Sequence, residues 1–200
     1  RDRDYSELTN LLHFSMTSSF GTLFENIHKL SSGHYLILNN KNLTISQYWS
    51  PLSKFNGYIE LNENQAKNRI IELLRIAIKD RMMSDVPFGV FLSGGIDSSL
   101  NVALMSELMD RPVDTFTVGF KDLVKYNELE YANLIARKFN TNHHEILIES
   151  KESLEILDDI IWHTDEPNGD PVCIPLYFLS KLTKDSGTTV IQVGEGSDEQ

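Results

Sequence analysis

PFGVFLSGGIDSSL (87–100) runs from an apolar stretch through two glycines into the start of an amphipathic stretch. That order is strand, tight turn, helix. Gly94 and Gly95 let the backbone turn sharply and approach a ligand closely. The successive N–H groups of such a turn, with the N-terminus of the helix behind it, form a site for an anion. The stretch is neither a Walker loop nor a dinucleotide fingerprint. It has no lysine to lie against a transferring γ-phosphate, but it has hydroxyls at Ser93 and Ser98 and a carboxylate at Asp97 between them. Hydroxyls and amides hold phosphate oxygens and Asp97 can hold Mg²⁺, an arrangement suited to pyrophosphate as a leaving group. Taken alone, an ordinary βα turn accounts for Gly, Ser and Asp equally well.

The surroundings supply the frame. Asn62 is a candidate N-cap, and Ala66, Ile70, Leu73, Leu74 and Ala77 recur at helical spacing up to about Met83, an apolar face read as core. Then follow PFGVFLS as strand, SSLNVALMSELM as helix, VDTFTVGF as strand and ELEYANLIARKF as helix. HHEILIE (strand), SLEILDDIIWH (helix), a Pro-rich loop, IPLYFLSKLTK (helix) and TTVIQVG (strand) complete the alternation. The spacing is that of βαβ units, so the expected fold class is α/β, a parallel sheet with helices on both faces. Ligands of such sheets sit at the carboxyl ends of the strands.

Residues 1–50 read differently. Helices are expected over Tyr5–Phe14 and near Leu23–Lys29, then a hairpin of HYLILN (34–39) and LTISQYW (43–49) around Asn39-Asn40-Lys41-Asn42. PLSKFNGY has linker chemistry, giving an expected division into 1–50, a linker at 51–61 and a domain at 62–200. The chain opens on Arg1 and stops at Gln200 just after a Gly-rich motif, and is read as a piece of a longer protein.

Of the 200 residues, 40% are hydrophobic and 24% charged, ordinary for a globular protein. A formal net charge of -11 argues against a general affinity for nucleic acid. The single cysteine, Cys173, excludes an internal disulfide framework, and no apolar run approaches the roughly 20 residues that span a bilayer. A cytoplasmic protein without nucleic-acid or membrane partners is the expectation, with a homo-oligomer left open.

SGGIDS (93–98) resembles the pyrophosphate loop of the N-type ATP pyrophosphatases, which cleave ATP between the α- and β-phosphates. VGEGSDE (193–199), TVGF (117–120), LIARKFNTNHHE (134–145) and DEPNGDPVCIPLYFLSK (165–181) are similar, in order and spacing, to motifs of the asparagine synthetase family. Upstream, SGHYL…QYW (32–49) resembles the tail of that family's Ntn-type glutaminase domain. The resemblance covers nearly the whole chain and implies an adenine nucleotide alpha-hydrolase-like fold. It implies that Ser93, Gly94, Gly95, Asp97 and Ser98 bind pyrophosphate, and that Leu92, Val118 and Gly194 frame the adenosine. It further implies that Asp97 and Asp198 share Mg²⁺, and that Glu195 lies near the acyl-adenylate to orient it or move a proton.

The activity implied is an ATP-dependent ligase that adenylates a small-molecule carboxylate, aspartate first among them, and amidates it with glutamine-derived ammonia. Two departures stand out. Val193 replaces a serine common in the family, and DEPNGDPVCIP (165–175) replaces a loop that helps form the aspartate site. The rival readings are a ligase or cyclase acting on another carboxylate or an internal amine, of β-lactam synthetase or macrolactam type, and a non-catalytic nucleotide-binding module. Plainer expectations cover the rest. His143 and His144, adjacent on a strand, point to opposite faces and are read as structural. Cys173 has no histidine placed for it, and Trp49 and Trp162 are read as packing residues. Lys79-Asp80-Arg81 reads as a solvated helix end, and Asp165, Glu166 and Asp170 either cover the site or stabilise their own loop.

Overall fold

Two capping signals fix the first and longest helices. Asp4 accepts from the amides of Ser6 and Glu7 at 2.9 and 3.1 Å and starts α1 (Tyr5–Phe14). Asn62 and Gln65 form a reciprocal capping box that starts α2 (Glu63–Arg81). The computed structural model describes residues 2–54, 57, 59–122, 125, 127–167 and 169–194. The chain divides into two compact units, one of residues 1–60 with 161–170 and one of 61–160 with 171–200.

In the first unit, β1 (His34–Asn39) and β2 (Asn42–Gln47) pair antiparallel from His34↔Gln47 to Asn39↔Asn42. Asn40 and Lys41, both with positive φ, make the two-residue turn whose twist matches the strands. The helix expected near Leu23–Lys29 is absent. Thr22 Oγ1 binds locally to Phe24 and Ile27, Asn26 takes a left-handed φ of 63°, and Phe24 bridges Arg3 in extended form. Local side-chain bonding and a β-bridge win over weak helical periodicity there.

The second unit holds a four-stranded parallel sheet in the order β5-β4-β3-β6. Its strands are β3 (Phe88–Phe91), β4 (Asp114–Phe120), β5 (Asn142–Ile148) and β6 (Val190–Gln192). The crossovers carry α3 (Ile96–Leu108), α4 (Leu129–Lys138), then α5 (Ser150–Glu155), α6 (Leu157–Thr164) and α7 (Cys173–Asp185). The α/β expectation holds. The span 153–163 is not one helix: α5 ends at Glu155 and α6 begins at Leu157, with Ile156 outside helical geometry between them.

Strands 3, 4 and 5 step one way across the sheet, then the chain returns past β3 to lay down β6. Right-handed crossovers put α3 and α4 on one face, and the reversal puts α7 on the other, where it packs against β4 and β5. The main core gathers Val90, Leu92, Val102, Met105, Val113, Ala132 and Ala136 between sheet, α3 and α4, with Ile78 of α2 closing it.

The apolar face expected on α2 is rotated from its predicted position. Leu74, Ile78 and Met82 reach the core, whereas Ile70 and Leu73 are exposed. Trp49 and Trp162 are also exposed, at 51% and 80%, so neither is a buried packing residue within this chain. Lys79, Asp80 and Arg81 are solvated as expected, with Arg81 donating back to the Ala77 carbonyl.

Candidate functional site

The reversal of strand order makes β3 and β6 neighbours whose following segments depart in different directions. This is the point at which an open α/β sheet leaves a crevice beyond its carboxyl ends. Residues 92–95 leave β3 there, and residues 193–194 leave β6 there.

The β3 loop is held closed by its own atoms. The Ser98 hydroxyl donates to the Gly95 carbonyl at 3.2 Å, so the 3.0 Å bond between Ser93 Oγ and Ser98 Oγ has Ser93 as donor. The Gly95 amide completes the ring by donating to Ser93 Oγ at 3.2 Å. Behind the ring, Leu92 donates its amide to Phe116 O at 2.9 Å and accepts the Thr117 hydroxyl at its carbonyl. The Leu92 side chain is buried in the core.

The two glycines have different reasons to be glycine. Gly94 has φ +85°, and a Cβ there would lie 2.5 Å from Tyr131 Cβ and 2.6 Å from the Ala132 amide nitrogen of α4. The fold itself requires Gly94. Gly95 has an ordinary φ of -65°, and its Cβ would meet only Ser93 Oγ, at 3.3 Å. Among the described residues, no other atom beyond its chain neighbours stands within 4 Å of that position.

Gly95 is also the N-cap of α3 and provides no side-chain cap. The first intrahelical bond at this end runs from Ser99 N to Gly95 O at 3.0 Å. The amides of Ile96, Asp97 and Ser98 therefore point out of the helix toward the loop, at the positive end of its dipole. Asp97 lies half-buried in this first turn, Ser98 is buried and Ile96 is almost fully exposed. The arrangement can take an anion with several oxygens, with one carboxylate left beside it.

β6 brings the second segment to the same place. A Cβ on Gly194 would lie 3.2 Å from the Asp97 carbonyl carbon and 3.3 Å from the Asp97 Cβ. The structure thus joins Ser93, Gly94, Gly95, Asp97, Ser98 and Gly194. Val118 lies on β4 opposite Ile146 of β5, half-buried, one strand away from this junction. Glu195 and Asp198 lie outside the described residues, as does everything from residue 195 onward.

The remaining candidates have local partners. His143 Nδ1 shares a 2.8 Å bond with Thr115 Oγ1, and its Nε2 faces Glu145 at 3.1 Å. His144 stacks on Phe116 at 4.9 Å, on the other side of the strand. Glu166 pairs with Lys29 at 2.7 Å, and the same ammonium donates to Thr17 Oγ1 at 2.6 Å. Of the two alternatives for the 165–170 carboxylates, loop stabilisation is what Glu166 does. Cys173 opens α7 as a half-buried free thiol. The sequence reading missed Asn101 and Gln192, buried amides whose surroundings only the fold reveals.

Residues 69–200 match the family model described as asparagine synthase. A relative from Methanocaldococcus jannaschii, a putative asparagine synthetase [glutamine-hydrolyzing] 2, is 35% identical over 186 residues, covering 89% of this chain and 34% of its own. Asparagine synthetase [glutamine-hydrolyzing] 1 of Bacillus subtilis is 31% identical over 197 residues, covering 98% of this chain and 30% of its own. The chain thus spans about a third of the length of these curated relatives. A glutamine-dependent NAD+ synthetase from Acinetobacter baumannii, solved with adenosine diphosphate, is 20% identical with a TM-score of 0.49, over 79% of this chain and 31% of that one. Among the described residues, no helix is long and apolar enough to cross a membrane.

Proposed function

Because the chain belongs to the asparagine synthase family, we propose that it carries the ATP-handling half of an ATP-dependent, amide-forming ligase of asparagine synthetase type. The observation that carries this reading is the approach of Gly194 to Asp97 at the open, uncapped end of α3. A loop built only to turn the chain would not need a second motif against it.

In this reading a carboxylate oxygen attacks the α-phosphorus of ATP and the bond to the bridging oxygen breaks, releasing pyrophosphate. Ammonia then attacks the acyl carbon, loses a proton, and AMP departs with the oxygen that linked it. The amides of Ile96, Asp97 and Ser98 bind the pyrophosphate oxygens as charge accumulates on them, which is stabilisation by dipoles already in position. Gly95 lets that anion approach the backbone. Ser93 and Ser98 brace the loop and turn their hydroxyls outward only when a phosphate oxygen replaces an internal acceptor. Leu92, Val118 and Gly194 frame the nucleoside, Leu92 by its backbone.

A hard cation is supported by one described carboxylate, Asp97, half-buried in the first turn of α3 beside the anion site. Asp97 and Asp198 would hold Mg²⁺, whose contribution is neutralisation of charge on the phosphates. Glu195 would orient the activated carboxylate or move a proton. The roles of Glu195 and Asp198 rest on family resemblance. On the same basis residues 1–50 are the tail of a glutaminase domain that supplies ammonia, residues 51–61 are a linker and residues 62–200 begin the synthetase domain.

Aspartate is the carboxylate this reading puts first. The DEPNGDPVCIP loop favours a second reading, in which the same adenylating site serves another carboxylate or an internal amine. Carboxylate-dependent exchange of labelled pyrophosphate into ATP by the intact protein separates them. Exchange with aspartate supports the first reading, and exchange with a different carboxylate moves the assignment to the second. Nucleotide binding without exchange across the panel overturns both and leaves a non-catalytic module. Asp97→Asn is expected to abolish exchange while changing the melting temperature little; unchanged turnover would remove Asp97 from the site.

A further inference from the structure

Beneath the anion loop lies a pair of amide side chains whose placement calls for an explanation. Asn101 on α3 and Gln192 on β6 are 7% and 8% exposed, and Asn101 Oδ1 and Gln192 Nε2 are fully buried without a hydrogen-bond partner among the described residues. One is an acceptor and the other a donor. Buried amides left unpaired are rare because each forfeits its bonds to water. Ser99 and Ser106 also have buried, unpartnered hydroxyls, but a serine within a helix can rotate onto the carbonyl one turn back. Asn101 Oδ1, an acceptor, and Gln192 Nε2, on a strand, do not have that route.

The fold puts both amides in one layer. Gln192 pairs with Val90 in the parallel register, and cross-strand partners point to the same face. Val90 belongs to the core cluster that contains Val102 and Met105 of α3, so Gln192 points toward α3. On α3, Asn101 shares the buried stripe with Ser98, Val102 and Met105. Asn101 also follows Asp97 by four residues, one helical turn of about 6 Å. Gln192 precedes Gly194 by two residues, a rise of about 6.6 Å along an extended chain. Helix and strand run in opposite directions in a βαβ unit, so both steps lead the same way, down from the loop. A Cβ built on Gly194 would crowd Asp97, and the register places Gln192 and Asn101 one layer below that junction, on the same face of the sheet.

We propose that Asn101 and Gln192 form a polar clasp between α3 and β6, closed by one buried water that accepts from Gln192 Nε2 and donates to Asn101 Oδ1. The clasp rests on geometry alone; its catalytic consequence rests on the function proposed above. It makes both amides positioning residues, setting the height of Gly194 against Asp97 and hence the shape of the nucleotide site. Neither residue touches the reacting atoms. An apolar pair would also fill the space, but would let the helix slide along the strand without losing a directed bond.

The test is a double-mutant cycle in the intact protein with Asn101→Leu, Gln192→Leu and the two together. Each single variant strands one buried amide and is expected to lower the melting temperature by about 2–4 °C. The double variant removes both polar groups and is expected to recover most of that loss. In pyrophosphate exchange each single variant raises KM for ATP several-fold with kcat nearly unchanged, and the double variant only partly restores KM. Melting losses that simply add overturn the clasp, as does a crystal structure in which Asn101 and Gln192 share neither a water nor a direct bond. KM values equal to wild type in all three variants overturn the positioning role. Absence of exchange in the wild type would sink the ligase reading and leave the melting cycle to decide the clasp independently.

Discussion

Gly194 leaves little room beside Asp97: a Cβ built on it would lie 3.2 Å from the Asp97 carbonyl carbon. Two segments almost a hundred residues apart in sequence therefore meet at backbone contact distance. A methyl group at 194 would require its neighbours to give by a few tenths of an ångström, and a branched side chain would require more. Gly194→Val is expected to cost about 1–3 kcal/mol by overpacking and to lower pyrophosphate exchange at least tenfold. Thermal unfolding and exchange on the same preparation check both, and a stable, fully active variant would show that this junction is not part of the site.

The glycines of the β3 loop are expected to fail in different ways. Gly94→Ala forces a side chain into the left-handed region and against α4. The backbone penalty alone is about 1–2 kcal/mol, so the variant should melt early. Gly95→Ala meets a single rotatable side-chain oxygen, Ser93 Oγ at 3.3 Å, and should melt close to the wild type while binding ATP more weakly. Calorimetric titration with ATP beside a thermal melt distinguishes them. Equal loss of stability in both variants would remove the ligand-based reason for Gly95.

Lys29 joins Glu166 and the buried Thr17 hydroxyl across 137 positions of sequence. Both charged groups are about one-third exposed, so the pair is worth at most about 1 kcal/mol after screening by solvent. Lys29→Met should destabilise the first unit by that amount in low salt. The difference should shrink in 1 M NaCl, where the screening length falls to about 3 Å. Denaturant melts at the two ionic strengths measure it, and a salt-independent loss would assign the effect to packing.

Glu7 is held below the ordinary carboxylate range, chiefly by the Ser18 hydroxyl and next by the Ser18 amide. A depressed folded-state pKa contributes stability that is complete above the unfolded value and is lost as pH falls through the folded one. The tie between α1 and Ser18 should therefore loosen only in acid, below the range in which ordinary glutamates titrate. NMR titration of the Glu7 side chain reads this directly. Ser18→Ala should return its midpoint toward the ordinary value.

Much of the α/β unit was legible because local and global signals agreed. The Asn62 cap, the strand runs around Val90 and Phe116 and the turn at Gly94-Gly95 each carry their own local chemistry. What escaped was set by partners distant in sequence. The rotation of α2 depends on which residues the core reaches, Leu74 and Ile78 rather than Ile70 and Leu73. The segment at Leu23–Lys29 is not helical because Arg3 is there to bridge Phe24 and Asn26 turns the chain after it. Glu166 looked equally suited to a substrate or to its own loop until Lys29 was placed beside it. The strand–turn–helix at Ser93–Ser98 was legible from its glycines and hydroxyls, whereas the approach of Gly194 to Asp97 follows only from the sheet order.

That sheet order also bears on the timing of folding. β3 finds β4 within a short reach of chain, but its pairing with β6 must close a loop of roughly a hundred residues. The three-residue β6 brings little of its own to that search. A molecule with strands 3 to 5 assembled would have a nearly formed core and an anion loop without its counterpart. Competence to bind nucleotide would then appear as the last event of folding, and its recovery after dilution from denaturant would lag behind the return of secondary structure.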